Sequence, residues 1–282
     1  MLTRDGYPAG VPCWIDTAQP DPEAAASFYG ALFGWELEDR MPAEAPGRYF
    51  MARLDGLDVA AIGSSNDGAP VANWSTYIWV DDADETAAKI RDAGGVALND
   101  PFDVMDAGRM GVFADPSGAV FSVWQANRHR GAQVVNAPGS WNWSDLHTHD
   151  VESAKQFYGA VFGWEAHTAD LGAGAWTTWH RPGYGDVLER NDPGLRERMA
   201  EFGAPDKFED AVATLVPIDD VPSHWSVTFS VDDTDAIAAK VAELGGSVVA
   251  EPFDAGPVRM AVVRDPQGAV FSIGRYKPPT DG

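Results

Sequence analysis

His147 and Asp145 stand two residues apart in the stretch Trp141-Asn142-Trp143-Ser144-Asp145-Leu146-His147. Alternate side chains of a β-strand share a face, so a strand here sets a carboxylate beside an imidazole. Such a carboxylate can orient and charge the ring, and a ring titrating near neutral pH can carry a proton. The plainer reading is a histidine that only hydrogen-bonds within a wall. His149, at the end of the same run, reads as a local residue. His180 follows Trp176 and Trp179; it either reaches the same site or packs as an ordinary buried residue. Arg109 and Arg259 hold matched places in Gly108-Arg109-Met110 and Val258-Arg259-Met260. They either bind a substrate carboxylate or form surface ion pairs with Asp103 and Asp254.

The elements that must position these groups come from a duplication. Phe28-Tyr29-Gly30-Ala31-Leu32-Phe33-Gly34-Trp35-Glu36 returns as Phe157-Tyr158-Gly159-Ala160-Val161-Phe162-Gly163-Trp164-Glu165. Val80-Asp81-Asp82 and its following helix-like run return at Val231-Asp232-Asp233. Asp115-Pro116-Ser117-Gly118 returns as Asp265-Pro266-Gln267-Gly268. Three blocks in one order define two copies. The spacing widens in the second copy, which places an insertion at Arg181 to Asp210. Each copy is itself double. A strand at PCWIDTA leads to a helix at Pro22 to Phe33 and strands at RYFMARL and LDVAAIG. A strand at STYIWVDD leads to a helix at Asp84 to Ala93 and strands at VALNDPFD, RMGVFAD and AVFSVWQ. Asp21 and Asp82 cap their helices, Gly94-Gly95 and Gly245-Gly246 end theirs, and the DPSG and DPQG stretches turn hairpins. The fold class is α+β: β-α-β-β-β, four times over. A polar linker over residues 127–137 separates one unit at 8–126 from another at 138–276.

Composition narrows the setting. The 282 residues are 45% hydrophobic and include 11 Trp, 13 Phe and 7 Tyr, enough for full cores. Indoles are costly to bury without a partner for the N–H, so many should line pockets or seams. A net charge of −23 repels phosphate backbones and anionic lipid, which argues against nucleic-acid or membrane partners. Cys13 is the only cysteine, so no intramolecular disulfide forms. The start MLTRDGYPAGVP lacks an apolar core segment and no apolar run spans a bilayer; a cytoplasmic protein is expected. The oligomeric state, a homo-oligomer included, is open.

The D-x-x-x-A-x-x-F-Y helix followed by F-G-W, the V-D-D helix ending in G-G, and the D-P-x-G turn resemble the vicinal oxygen chelate superfamily. That superfamily includes glyoxalase I, bleomycin- and fosfomycin-resistance proteins and extradiol dioxygenases. The likeness is nearest to duplicated, glyoxalase-like actinobacterial members, and it covers nearly the whole chain. It implies tandem paired modules whose sheets curl into two half-open barrels, each with a ligand cup. The family's metal ligands, usually His, Gln or Glu, would fall at Trp14, Ser75, Ser122, Trp143, Ser226 and Ser272. None of these suits a divalent ion, so no metal and no other cofactor is expected, a divalent metal being the alternative.

If Trp14 points into its cup, alternation brings Asp16 with it and turns Cys13 and Ile15 toward the helices. Cys13 is then a buried structural thiol rather than a nucleophile. Ser75, Tyr77, Trp79, Ser122 and Trp124 complete the first cup. Trp143, Asp145, His147, Ser226, Thr228 and Ser272 form the second, with Trp176, Trp179 and His180 as further candidates. Aromatic walls with a few polar groups are what small-molecule pockets are made of. The insertion predicts one short amphipathic helix around Leu195 to Phe202, capped by Asn191 or Asp192, serving either as a lid or as a seam or subunit contact. Two functions stand: a protein that binds or sequesters an aromatic or polyketide-like metabolite without metal, and a glyoxalase-like or hydroxylase-associated enzyme acting in the second cup. Asymmetry between the copies favours the second cup as the main site.

Overall fold

The computed structural model describes residues 3–65, 72–170 and 175–277. In the first half, β1 (Pro12–Gln19), α1 (Pro22–Phe33), β2 (Glu36–Asp39), β3 (Tyr49–Leu54) and β4 (Leu57–Ser64) make one module. The next is β5 (Asn73–Trp79), α2 (Ala83–Asp92), β6 (Val96–Val104), β7 (Gly108–Ala114) and β8 (Val120–Ala126). The second half repeats this with β9 (Trp141–Thr148), α3 (Val151–Phe162), β10 (Glu165–Asp170), β11 (Ala175–His180), α4 (Tyr184–Asn191), α5 (Leu195–Glu201) and β12 (Ala211–Pro217). It closes with β13 (His224–Ser230), α6 (Thr234–Glu243), β14 (Ser247–Ala255), β15 (Val258–Arg264) and β16 (Val270–Tyr276).

Each half forms one 8-stranded sheet, ordered β2-β3-β4-β1-β5-β8-β7-β6 and β10-β11-β12-β9-β13-β16-β15-β14. The identical order confirms the α+β duplication. Both sheets keep free edges, so neither is a closed barrel. The caps are those the sequence prescribes: Asp21 accepts from the Ala24 N–H at 2.9 Å and Asp82 from the Glu85 N–H at 2.8 Å. The strand after each F-G-W, β2 and β10, has no apolar alternation; it is a polar edge strand held by its neighbour's backbone.

The halves interlock through their first helices. Phe33 of α1 lies 4.8 Å from Phe229, and Tyr29 lies 5.7 Å from Phe271, both on the second sheet. Reciprocally, Phe157 and Tyr158 of α3 lie 6.0 and 5.9 Å from Phe121 of the first sheet. The Trp35 indole donates to the Gly139 carbonyl and the Trp164 indole to the Gly10 carbonyl, each at 2.7 Å. Burying each such ring stabilises by about 1.5–3 kcal/mol relative to exposure. Cys13 and Ile15 lie in this core, fully buried. The opposite sheet faces, with Asp16 and Asp145, turn away from it.

The insertion departs from expectation. It contains two helices, α4 and α5, and a single 3-10 turn, Phe208–Asp210. Neither Asn191 nor Asp192 caps α5. The Glu189 carboxylate accepts from the Gly194 and Arg196 N–H groups at 2.7 and 3.0 Å instead, and Asp192 pairs with Arg198. No helix among the described residues is long and apolar enough to cross a membrane.

Candidate binding cups

In the first cup, Asp16 sits mid-strand on β1, opposite Ser75. Its Oδ2 accepts from the Tyr77 hydroxyl at 2.8 Å and the Tyr49 hydroxyl at 3.2 Å, and Tyr49 in turn accepts from the Trp14 indole at 3.3 Å. Burial raises the Asp16 carboxyl to about 6, against the opposing pull of the two phenols. Ser122 reaches the Tyr77 hydroxyl. The residues after β8 then close the cup. His129 packs edge-on against Trp14 at 4.3 Å and against Trp124 at 5.6 Å, and its carbonyl accepts from the Trp124 indole at 2.9 Å. Only 2% of Trp14 remains exposed. Burial holds the His129 imidazole down to about 4, and its Nε2 has no partner. Trp79 is covered by Tyr7 at 6.3 Å and by the Arg130 guanidinium at 6.0 Å.

The second cup repeats the indole–hydroxyl–carboxyl chain with a different middle member. The Trp143 indole donates to Thr214 at 2.7 Å, and Thr214 bonds the Asp145 carboxyl, which also accepts from Thr228 at 3.5 Å. Burial raises this carboxyl too, to about 6. Ser226 lies opposite Asp145, and Ser272 beside Thr228. Trp143 stays partly exposed. Phe208, delivered by the insertion, stacks 5.9 Å from Trp143 and 5.4 Å from Trp176. At the far side of the sheet, Phe202 at the end of α5 meets Tyr276 of β16 at 5.8 Å. The insertion thus touches both flanks of this cup.

His147 shares the face but is not hydrogen-bonded to Asp145. Its Nε2 lies 3.0 Å from the Ser226 hydroxyl and its ring stacks at 4.6 Å on His224. Burial first, then His224, lowers it to about 4. The ring is therefore neutral at neutral pH, and the carboxylate-charged imidazole expected from spacing is not formed. Three further placements bear on the sequence reading: Trp179 departs from it, while for His180, Arg109 and Arg259 they choose between its alternatives. Trp179 faces the core, 5.7 Å from Trp164 and 5.5 Å from Tyr158. His180 keeps the face of Thr178, whose hydroxyl lies 2.9 Å from its Nε2, and stacks at 4.1 Å on His167 of the edge strand. Arg109 and Arg259 face the helices: Arg109 binds Asp84 and Asp103 at 2.8 and 3.0 Å, and Arg259 binds Asp235 and Asp254 at 2.5 and 3.2 Å. Met110, not Arg109, pairs with Trp124 on the cup side.

Tyr49, His129, Thr214, Phe208 and His224 were not singled out from the sequence. Alternation along Tyr49–Leu54 and back from Ser226 would have found Tyr49 and His224. His129 lies in a loop and Phe208 opens a single 3-10 turn, neither with a periodicity to read. Two other hollows, of about 360 Å³ at Ala24, Phe28, Leu244 and Pro266 and about 480 Å³ at Asp103, Gly108, Arg109 and Gln125, lie outside both cups. The first is an apolar groove at the junction of the halves, and the guanidinium in the second is already committed to carboxylates.

These features define a duplicated, paired-module α+β fold. The model of the Glyoxalase/Bleomycin resistance protein/Dioxygenase superfamily matches residues 14–123 and 141–273, and the chain belongs to that family. It is 40% identical over 282 residues, 99% of each chain, to the protein called "Putative glyoxylase CFP32" in Mycobacterium tuberculosis. It is 36% identical, over 96% of this chain and 94% of the other, to the anthracycline biosynthesis protein DnrV of Streptomyces peucetius. Among solved structures, the Mn(II)-bound glyoxalase of Novosphingobium aromaticivorans superposes with a TM-score of 0.60 at 14% identity, covering 97% of this chain and 86% of that one. The 2,3-dioxygenase LapB of Pseudomonas sp. KL28 gives 0.58 at 15%, covering 97% and 95%. At that identity the structures speak to fold alone.

The metal of the family does not fit the residues here. Trp14 and Trp143 stand where the resemblance would put metal ligands, and each donates its indole N–H to a hydroxyl. An indole has no lone pair to give, and serine is a poor ligand. Among the described residues no three His, Cys, Asp or Glu side chains gather so as to hold an ion. No step is routed through a metal.

Proposed function

We propose that the protein binds a planar aromatic metabolite of polyketide type in its second cup, without a metal. The observation that carries this reading is the difference between the two equivalent tryptophans. Trp14 is sealed under His129, whereas Trp143 stays partly exposed, with Phe208 stacked beside it and hydroxyls nearby. Aromatic walls stack flat ligands, and the Asp145 carboxyl with Ser226, Thr228 and Ser272 supplies acceptors and donors for ring hydroxyls or carbonyls. The relative DnrV, associated by name with anthracycline biosynthesis, is consistent with a fused-ring ligand. Titration with 1,8-dihydroxyanthraquinone should quench tryptophan fluorescence saturably, and Trp143→Ala should abolish the saturable phase. Equal quenching in Trp143→Ala, with loss in Trp14→Ala, would move the site to the first cup.

A second reading, a glyoxalase-like or hydroxylase-associated enzyme, is favoured by one feature. A carboxyl lifted to about 6 is suited to accept a proton from a weakly acidic ligand. Proton–deuterium exchange at a bound ligand's acidic C–H, absent in Asp145→Asn, would select it.

A further inference from the structure

We infer that Arg264 selects, among ligands of the second cup, those that carry a carboxylate on their ring system. This deepens the reading of that cup as the ligand site and rests on it.

Arg109 and Arg259, the arginines that the sequence offers for a substrate acid, are committed to carboxylates on the helix side of their sheets. Arg264 is placed otherwise. On β15, Ala261 and Val263 are buried, and so are their partners on β16, Ile273 and Phe271. The residues between them turn to the opposite face. There Met260 pairs with Gly274, Val262 with Ser272 and Arg264 with Val270. Ser272 is in register with Thr228, whose hydroxyl meets the Asp145 carboxyl, so this face is the cup wall. Arg275 of β16 takes the helix side by its register with Arg259.

The first half has no counterpart. Gly111-Val112-Phe113-Ala114-Asp115-Pro116 aligns with Ala261-Val262-Val263-Arg264-Asp265-Pro266. Across the strands, the row through Ala114 is Val96, Ala114 and Val120. The row through Arg264 is Ser247, Arg264 and Val270. A cation thus enters the second wall at a row that is apolar in the first.

Arg264 is exposed, and among the described residues no side chain hydrogen-bonds or ion-pairs with its guanidinium. The cup's own carboxyl, Asp145, stands on β9, with β13 and β16 between it and β15. That is three strand spacings, about 14 Å along the sheet, which leaves the two groups apart. The chain has 43 acidic and 20 basic residues and as a whole repels anions. An acid-bearing ligand therefore needs a cation at its site, and a guanidinium meets a carboxylate with two parallel N–H donors. A fused-ring ligand stacked on Trp143 at β9 and lying along the wall past Ser272 carries such a group toward Arg264. The matched place in the first cup offers only the Ala114 methyl.

The test compares 1,8-dihydroxyanthraquinone with its ring-carboxylated form, 4,5-dihydroxyanthraquinone-2-carboxylic acid, by calorimetry at neutral pH and low salt. Wild type should bind the acid about fivefold more tightly than the uncharged ring, the scale of one solvent-exposed ion pair. Added salt should shrink that preference. Arg264→Gln should bring the two probes within about twofold of each other. Arg264→Lys, which keeps the charge but not the planar fork, should retain part of the gap. The side chain is exposed and unpaired, so the melting temperatures of both variants should match wild type, which separates lost recognition from lost fold. Equal affinities for the two probes in wild type, or an acid preference that survives in Arg264→Gln, overturns the inference and leaves the second cup as the ligand site. No binding of either probe to wild type overturns the reading beneath it as well.

Discussion

The Tyr29 hydroxyl donates to Asp265 Oδ2 at 2.9 Å across the junction of the two halves. The same Oδ2 accepts from Gln19 at 2.8 Å, while Oδ1 receives the Gln267 and Ala269 N–H groups of its own turn. The mirror contact, Tyr158 to Asp115 at 3.1 Å, closes the other side. The F-Y-G and D-P-x-G motifs, far apart in each copy, thus meet between copies.

Tyr29→Phe should therefore destabilise by about 2–3 kcal/mol, since it removes a hydrogen bond to a buried carboxylate and leaves the Trp74 indole N–H without its acceptor. Tyr158→Phe should match it. Urea unfolding of each variant measures this. A loss under about 0.5 kcal/mol would assign the junction's strength to ring packing alone.

Asp16 and Asp145 titrate near 6 when folded, against about 3.9 in an unfolded chain. The folded state keeps these protons longer. The stability they contribute is full below the unfolded value and is lost as pH rises through about 6. His129 and His147 have the opposite sense: held down to about 4, they contribute stability that is full above their unfolded value of about 6.5 and lost as pH falls through the folded one. Asp16→Asn should flatten the difference from wild type below pH 4 and gain about 1–2 kcal/mol near pH 7, an amount reduced by the solvent that reaches the carboxyl. Denaturation midpoints across pH 4 to 8 decide it; a difference that does not change with pH would place the carboxyl's proton loss at its ordinary range.

In the second cup, Asp145→Asn and His147→Ala should weaken ligand binding more than Trp14→Phe or Tyr77→Phe. Loss of a hydrogen bond to a charged group is worth about 1.5–3 kcal/mol, and His147 holds the Ser226 hydroxyl in place. Calorimetry on the four variants separates the cups. If only the first-cup changes reduce affinity, the second cup is a wall of the fold.

Phe208→Ala should reduce affinity several-fold while leaving the melting temperature nearly unchanged, because the ring is half-buried against Trp143 and Trp176 rather than in the core. A large fall in stability with affinity intact would make the insertion a structural brace.

The duplication, the strand order's repeat and the face on which Asp16 and Asp145 lie were all legible, because they follow from block matches and from a period of two. What was not legible depends on chain that returns from elsewhere. His129 sits in a run that reads as linker, and only the folded path brings it onto Trp14. The Asp145–His147 pairing failed for a related reason: two groups on one face still choose partners across strands, Thr228 and Thr214 for one and Ser226 for the other. Arg109 was ambiguous because alternation alone does not say which face is the cup. His180 follows the alternation, on the face of Thr178, but alternation does not say how near the sheet edge that place lies.

The reciprocity of the junction bears on how the two cups came to differ. A contact in which residue i of one copy meets residue j of the other, and j meets i, is the pattern of a two-fold symmetric dimer. Here both halves of that contact lie in one polypeptide, as they would if an ancestral homodimer had been fused end to end. In a homodimer every substitution appears in both sites at once, so a side chain that fills one pocket fills its twin. Fusion removes that constraint. One half could then seal its Trp14 under His129 while the other kept Trp143 partly exposed beside Phe208.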